Sequence, residues 1–111
     1  MPNSSPAPTR RRVHGSRSGR PIMALLDILG RRWSLRILWE LREAPLTSRA
    51  LREACDDASP TSLQARLDDL REAGFVGLGE DGYALTPLGR ELLATFLPLH
   101  RFAERWRRHE N

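Results

Sequence analysis

Lysine is absent from this 111-residue chain, cysteine and tyrosine occur once each, and no apolar run approaches membrane-spanning length. A lone cysteine, Cys55, rules out an intramolecular disulfide framework and suits a reducing compartment. A bilayer-spanning helix needs about 18 consecutive apolar residues, and the amino terminus lacks the apolar run of a secretory signal. No membrane association and a cytoplasmic, nucleoid-associated location are therefore expected. Glycine-rich phosphate loops, CxxC pairs, nucleophile elbows and internal repeats are all missing. His14 stands apart from any motif, and His100 and His109 fall on opposite sides of a helix. His100 and Glu104 have i, i+4 spacing, but two ligands are too few for a metal site. No catalytic residue, metal or cofactor is expected, and the chain does not read as an enzyme.

With lysine missing, all 18 basic residues are arginine. Planar, bidentate contacts to phosphate and guanine are one reason for such a bias. Codon usage in a GC-rich genome is the simpler one. The net charge of +4 is uneven: residues 1–20 carry five arginines (Arg10, Arg11, Arg12, Arg17, Arg20) and no acid, while the rest has 13 arginines against 14 acids. Residues 1–20, poor in large apolar side chains, cannot bury enough surface to offset the entropy of ordering them, so a disordered arginine-rich tail is expected there. Residues 21–111 then form one domain. At roughly 90 residues it buries only about 60–65% of its unfolded surface, which favours dimerisation.

Within that domain the signals follow one another closely. Pro21 suits a first helical position, and Ile22, Leu25, Leu26 and Leu29 form an apolar stripe closed by Gly30. A second helix follows Ser34, with Leu35, Leu38, Trp39 and Leu41 expected inward and Pro45 as its stop. Thr47 caps a short third helix running to about Cys55, with Ala50, Leu51 and Ala54 inward. Ser59-Pro60 joins a cap to a proline at N1 and opens a helix over 60–73 with Leu63, Leu67 and Leu70 inward and Gly74 beyond its end. Phe75–Leu78 and Tyr83–Leu85 read as strands around a turn containing Asp81-Gly82. Thr86-Pro87 opens a last helix through Leu88, Leu92, Phe96, Leu99, Phe102 and Trp106, which Pro98 should kink or split. The expected fold is mostly α with a small β-hairpin: a winged helix-turn-helix.

In such a fold helix 60–73 docks in the major groove. Opposite its leucines lie Thr61, Ala65, Asp68 and Glu72, flanked by Ser62 and Asp69 on one side and Gln64 on the other. Gln64 suits adenine, and the Thr61 methyl and Ala65 suit thymine methyls. Arg49, Arg52 and Arg66 are candidates to hold phosphates. Arg66 with Asp69 and Arg49 with Glu53 can instead form ordinary ion pairs. Arg10, Arg11 and Arg12 suit a minor-groove arm; all five tail arginines on phosphates would add about −4 to −5 per protomer to the salt slope. A simple unstructured extension is the alternative.

Three blocks resemble the HxlR-type transcription regulators of the MarR-like superfamily: Ala24 to Leu38, Ser59 to Gly74, and Tyr83 to Arg90. The likeness spans about residues 20–107. It implies a bacterial homodimer closed through the first and last helices, with double-stranded DNA as partner and a near-palindromic operator; repression is the expected mode, with activation left open by the sequence. Leu25, Trp33, Phe96, Leu99, Phe102 and Trp106 would then line the core or the dimer interface. Many members carry a cysteine just ahead of the first helix that some use to sense electrophiles or oxidants; here Arg20-Pro21 stands in that position, and Cys55 reads as a small packed residue, with a redox switch as the alternative. The family's motif over Thr47–Leu51 loses an aromatic and a carboxylate here, and Glu80-Asp81 makes the wing tip a poor minor-groove probe, so helix readout should dominate. No ligand is named by the pattern, so a small-molecule effector stays undefined.

Two rival readings have different consequences. Asp68, Asp69, Glu72, Glu80 and Asp81 suit a winged-helix protein-interaction module that binds no specific DNA. Nonspecific nucleic-acid coating driven by the tail predicts loss of all binding when residues 1–20 are deleted.

Overall fold

The computed structural model describes residues 19–56 and 58–110. Arg10, Arg11, Arg12 and Arg17 lie outside the described residues, as does nearly all of the expected tail. Five helices and one hairpin follow in the order α1 (Pro21–Leu29), α2 (Ser34–Glu40), α3 (Ser48–Ala54), α4 (Pro60–Glu72), β1 (Val76–Gly79), β2 (Gly82–Leu85) and α5 (Pro87–Glu110). This is the mostly helical fold with a two-stranded antiparallel wing that the sequence predicts.

Local chemistry accounts for most boundaries. Pro21 starts α1, where a missing N–H costs nothing, and the Arg20 carbonyl accepts from the Met23 and Ala24 amides. Thr47 Oγ1 caps α3 by accepting from Ala50 N at 3.1 Å, and Ser59 Oγ caps α4 by accepting from Ser62 N at 3.1 Å. Helix α4 ends in a Schellman arrangement: Gly74 N donates to Arg71 O and Phe75 N to Leu70 O, with Gly74 at φ 91°.

Two inward faces differ from expectation. In α2 the buried residues are Ser34, Ile37 and Leu38, followed by Leu41, whereas Leu35 is exposed and Trp39 half-buried. With apolar side chains at five of the seven positions from Leu35 to Leu41, periodicity does not choose a face; packing does. The helix also ends at Glu40, before Pro45 can act as its stop. In α1, Ile28 and Leu29 are buried and Leu25 half-buried, but Ile22, Met23 and Leu26 are bare, because no element among the described residues covers that face.

The core lies where α2, α3 and α4 meet the hairpin, with Ile37, Leu38, Leu51, Leu67 and Leu70 fully enclosed. The hairpin pairs Val76 with Leu85 and Gly79 with Gly82, leaving Glu80-Asp81 as a two-residue tip. Leu46 extends this sheet by a bridge the sequence does not signal: its amide and carbonyl both bond Tyr83, at 2.9 and 2.8 Å. Gly82 makes that approach possible. Its φ is +112°, and an added Cβ would lie 2.5 Å from the Leu46 carbonyl oxygen.

The last helix is locked to the hairpin base. Thr86 Oγ1 accepts from Gly89 N at 3.0 Å and donates to the Gly74 carbonyl at 2.6 Å. Gly89 packs so closely on the Phe75 carbonyl that no side chain fits between them. Pro98 does not split α5, which runs through it as one 24-residue helix. Both Pro98 and Ala94, whose carbonyl loses its helical partner, are exposed, so water can serve that group. Among the described residues no helix is long and apolar enough to cross a membrane.

Candidate nucleic-acid interface

Helix α4 buries Leu63, Leu67 and Leu70 and turns its polar side outward. Thr61, Ser62 and Gln64 are exposed in its amino-terminal half; Ala65, opposite the leucines, and Arg66, on the flank, are half-buried. Gln64 Nε2 donates to Asp68 Oδ1 at 2.9 Å and reaches the Tyr83 hydroxyl at 3.4 Å. To read an adenine edge, this amide must exchange its Asp68 bond for the base.

The acids of α4 are not equivalent. Asp69 Oδ2 accepts from Arg66 Nε at 3.0 Å and from Arg31 Nη1 at 2.9 Å, while Arg31 Nη2 also reaches Asp27 at 3.3 Å. Side chains of Arg66 and Asp69 are only 23% and 19% exposed. Asp69 therefore braces α4 against α1 and the turn after it, and its charge is offset by two guanidiniums. That takes it out of the acidic surface on which the protein-interaction reading relies. Arg66 uses only Nε in this brace.

Across the short turn, α3 presents Arg49 and Arg52 to solvent, and with Ser48, Glu53 and Pro60 they line an open depression of about 540 Å³. Arg49 lies 3.8 Å from Glu53, but both side chains are largely exposed, so this pair is worth little and leaves Arg49 available. Both intramolecular pairings anticipated from sequence thus form, one partly buried and one weak. Tyr83 anchors the wing to the core, and Glu80 and Asp81 stand exposed at its tip.

The residues expected at a dimer interface fall into two groups. Leu25, Trp33 and Phe96 are half-buried against the chain's own core. Leu99, Phe102 and Trp106 are 56%, 50% and 55% exposed. Sequence reasoning missed the stack that reaches this outer stretch of α5: Trp39 lies on His100 with ring centroids 4.9 Å apart, and the Arg42 guanidinium sits 4.1 Å from the Trp39 centroid. Aromatic and basic side chains far apart in sequence gave no periodic signal for it. Cys55 is fully buried, and desolvation pushes its thiol pKa up, which keeps it protonated and unreactive. No group of three or more metal-ligating side chains occurs among the described residues.

Comparison with known proteins agrees with this architecture. The HxlR-like helix-turn-helix family profile matches residues 28–111. An uncharacterised helix-turn-helix transcriptional regulator from Synechocystis is 26% identical over 98 residues, covering 82% of this chain and 73% of that relative. The quinone-bound crystal structure of YodB from B. subtilis superposes with a TM-score of 0.70 at 26% identity, covering 76% of this chain and 96% of that one. A possible HxlR family transcriptional factor from Thermoplasma volcanium does so at 0.70 and 26%, covering 80% and 86%. With its winged fold and outward-facing α4, the chain belongs to the HxlR-like helix-turn-helix family and is a DNA-binding transcriptional regulator.

Proposed function

We infer that the protein acts as a homodimeric repressor that reads a near-palindromic operator, one α4 entering the major groove of each half-site. The observation that carries this reading is the amino-terminal half of α4, where Thr61, Ser62 and Gln64 stand exposed opposite buried Leu63, Leu67 and Leu70. Side chains at that end of a recognition helix meet base edges. Ala65, opposite the leucines, adds an apolar contact, and Arg49 and Arg52 hold phosphates from α3. Arg66 keeps Nε on Asp69 and turns its terminal nitrogens to the backbone. The arm of Arg10, Arg11 and Arg12 adds charge along the duplex.

The dimer closes through α1 and α5. Ile22, Met23 and Leu26 on the first helix, with Leu99, Phe102 and Trp106 on the last, present more large apolar side chains than an isolated domain of this size leaves bare without a partner. Bound across a promoter, such a dimer represses by occupancy. A small-molecule effector belongs to the same reading, supported by the quinone held in the YodB structure. With Cys55 enclosed, such a ligand acts here without forming a bond to that thiol.

The test is in vitro selection of source-genome fragments at about 0.15 M salt. Recovery of a short inverted repeat with half-sites about 34–36 Å apart is expected. Fragments without a common motif, or no recovery, would overturn the reading. Replacing Gln64 and Arg66 together by alanine should cost about 1–3 kcal/mol of specific binding.

A further inference from the structure

A cleft of about 470 Å³ opens between the turn ahead of α2 and the start of α4, lined by Arg32, Trp33, Asp56, Ala58, Ser59 and Ser62. Trp33 and Asp56 are the two non-glycine residues with positive φ among the described residues, at 78° and 56°, and both line this one cleft. A bulky side chain is seldom held in that backbone region, and the surroundings must fix it there. Here the Trp33 ring lies under the Arg32 guanidinium, 4.9 Å from its centroid.

The neighbouring arginines are differently engaged. Arg31 holds Asp27 and Asp69, Arg66 holds Asp69, and Arg36 holds Glu40 and Asp56. Arg32 is exposed and has an aromatic ring, not a carboxylate, as its partner among the described residues. A guanidinium placed over a ring is held in position without using its N–H donors, which stay available for a planar, bidentate acceptor. Across the cleft Ser62, one of the exposed side chains of α4, faces the groove in the reading given above.

We propose that Arg32 is a DNA-backbone contact: held over Trp33, it takes a phosphate at the mouth of the cleft it shares with Ser59 and Ser62. This rests on α4 entering the major groove, which brings the flanking sugar-phosphate strand to that mouth. The contact fixes the orientation of the reading helix and carries no base preference.

The test titrates the full-length protein against its selected operator and a random duplex of equal length, over roughly 50–200 mM salt. Arg32→Ala should flatten the log–log salt slope by about 1.8 per dimer, one phosphate per protomer. It should weaken both duplexes by the same factor, roughly tenfold, leaving discrimination unchanged. Arg32→Lys, which keeps the charge, should retain most of the slope. If the alanine variant loses its thermal unfolding transition, Arg32→Gln carries the same test with a planar group still over Trp33. A wild-type slope in the neutral variant, while the unaltered protein still selects its operator, overturns the proposal and leaves the groove reading standing. Absence of any operator preference in the unaltered protein removes both.

Discussion

Leu67 and Trp106 are each large apolar residues on a long helix, yet Leu67 is wholly enclosed and Trp106 is 55% exposed. The difference lies in what surrounds them. Helix α4 is packed by α2, α3 and β1, so its leucine stripe is covered within the chain and only its polar side meets solvent. In α5 the first turns rest on the hairpin and bury Leu92, but every described side chain from Leu97 to His109 is exposed. A helical stretch of about a dozen residues is marginal in water unless one face is packed. Among the described residues, intrachain cover sets the α4 half apart from the outer part of α5, which in the reading proposed above a second copy would cover.

That contrast can be broken by mutation. Leu67→Ala should destabilise the domain by about 2–5 kcal/mol, independent of protein concentration, in denaturant unfolding. Trp106→Glu should leave the unfolding of dilute protein nearly unchanged while abolishing dimers in sedimentation. Equal loss of stability in the two variants would erase the distinction between the halves. Within the hairpin, Gly82→Ala should cost about 2 kcal/mol, through its positive φ and its collision with Leu46. Gly79→Ala, where an added Cβ meets nothing within 4 Å, should be close to neutral by the same measurement.

The smallest effect concerns the enclosed half under alkali. Burial raises the Cys55 thiol pKa, so the unfolded chain releases this proton at lower pH than the folded one. The folded state then binds more protons between the two values, and stability falls as pH rises through that window, with no contribution below the unfolded value. Cys55→Ala should flatten the decline. Thiol-labelling reagents should react with the wild-type protein only on unfolding.

Legibility from sequence followed the same division. Ser59-Pro60, the spacing of Leu63, Leu67 and Leu70, and Gly74 mark α4 to within a residue, because cap, stripe and stop are all local. Thr86-Pro87 did the same for the start of α5, and Asp81-Gly82 for the hairpin. What escaped depends on long-range encounters. The Leu46–Tyr83 bridge is one residue long and has no period, and the choice of Ile37 over Leu35 for the core is made by packing. At the site, the exposure of Thr61, Ser62 and Gln64 followed from the helical repeat. The Arg31–Asp69 brace spans 38 residues of sequence, and Arg32 and Ser62 come to line one cleft only once the turn ahead of α2 and the start of α4 are assembled.

The joint formed by Thr86, Gly74, Gly89 and Phe75 has a consequence for how this chain tolerates changes in length. Glu80-Asp81 can accept inserted residues, because the strands below remain paired and neither flanking helix has to move. One residue added or removed between Gly74 and Gly89 outside that tip would shift the Thr86 hydroxyl off the Gly74 carbonyl and misalign the start of α5 with the end of α4. In the proposed dimer, that displacement would be carried along α5 and reappear as a changed distance between the two α4 helices. Natural variation in length should therefore collect at the wing tip and spare its base.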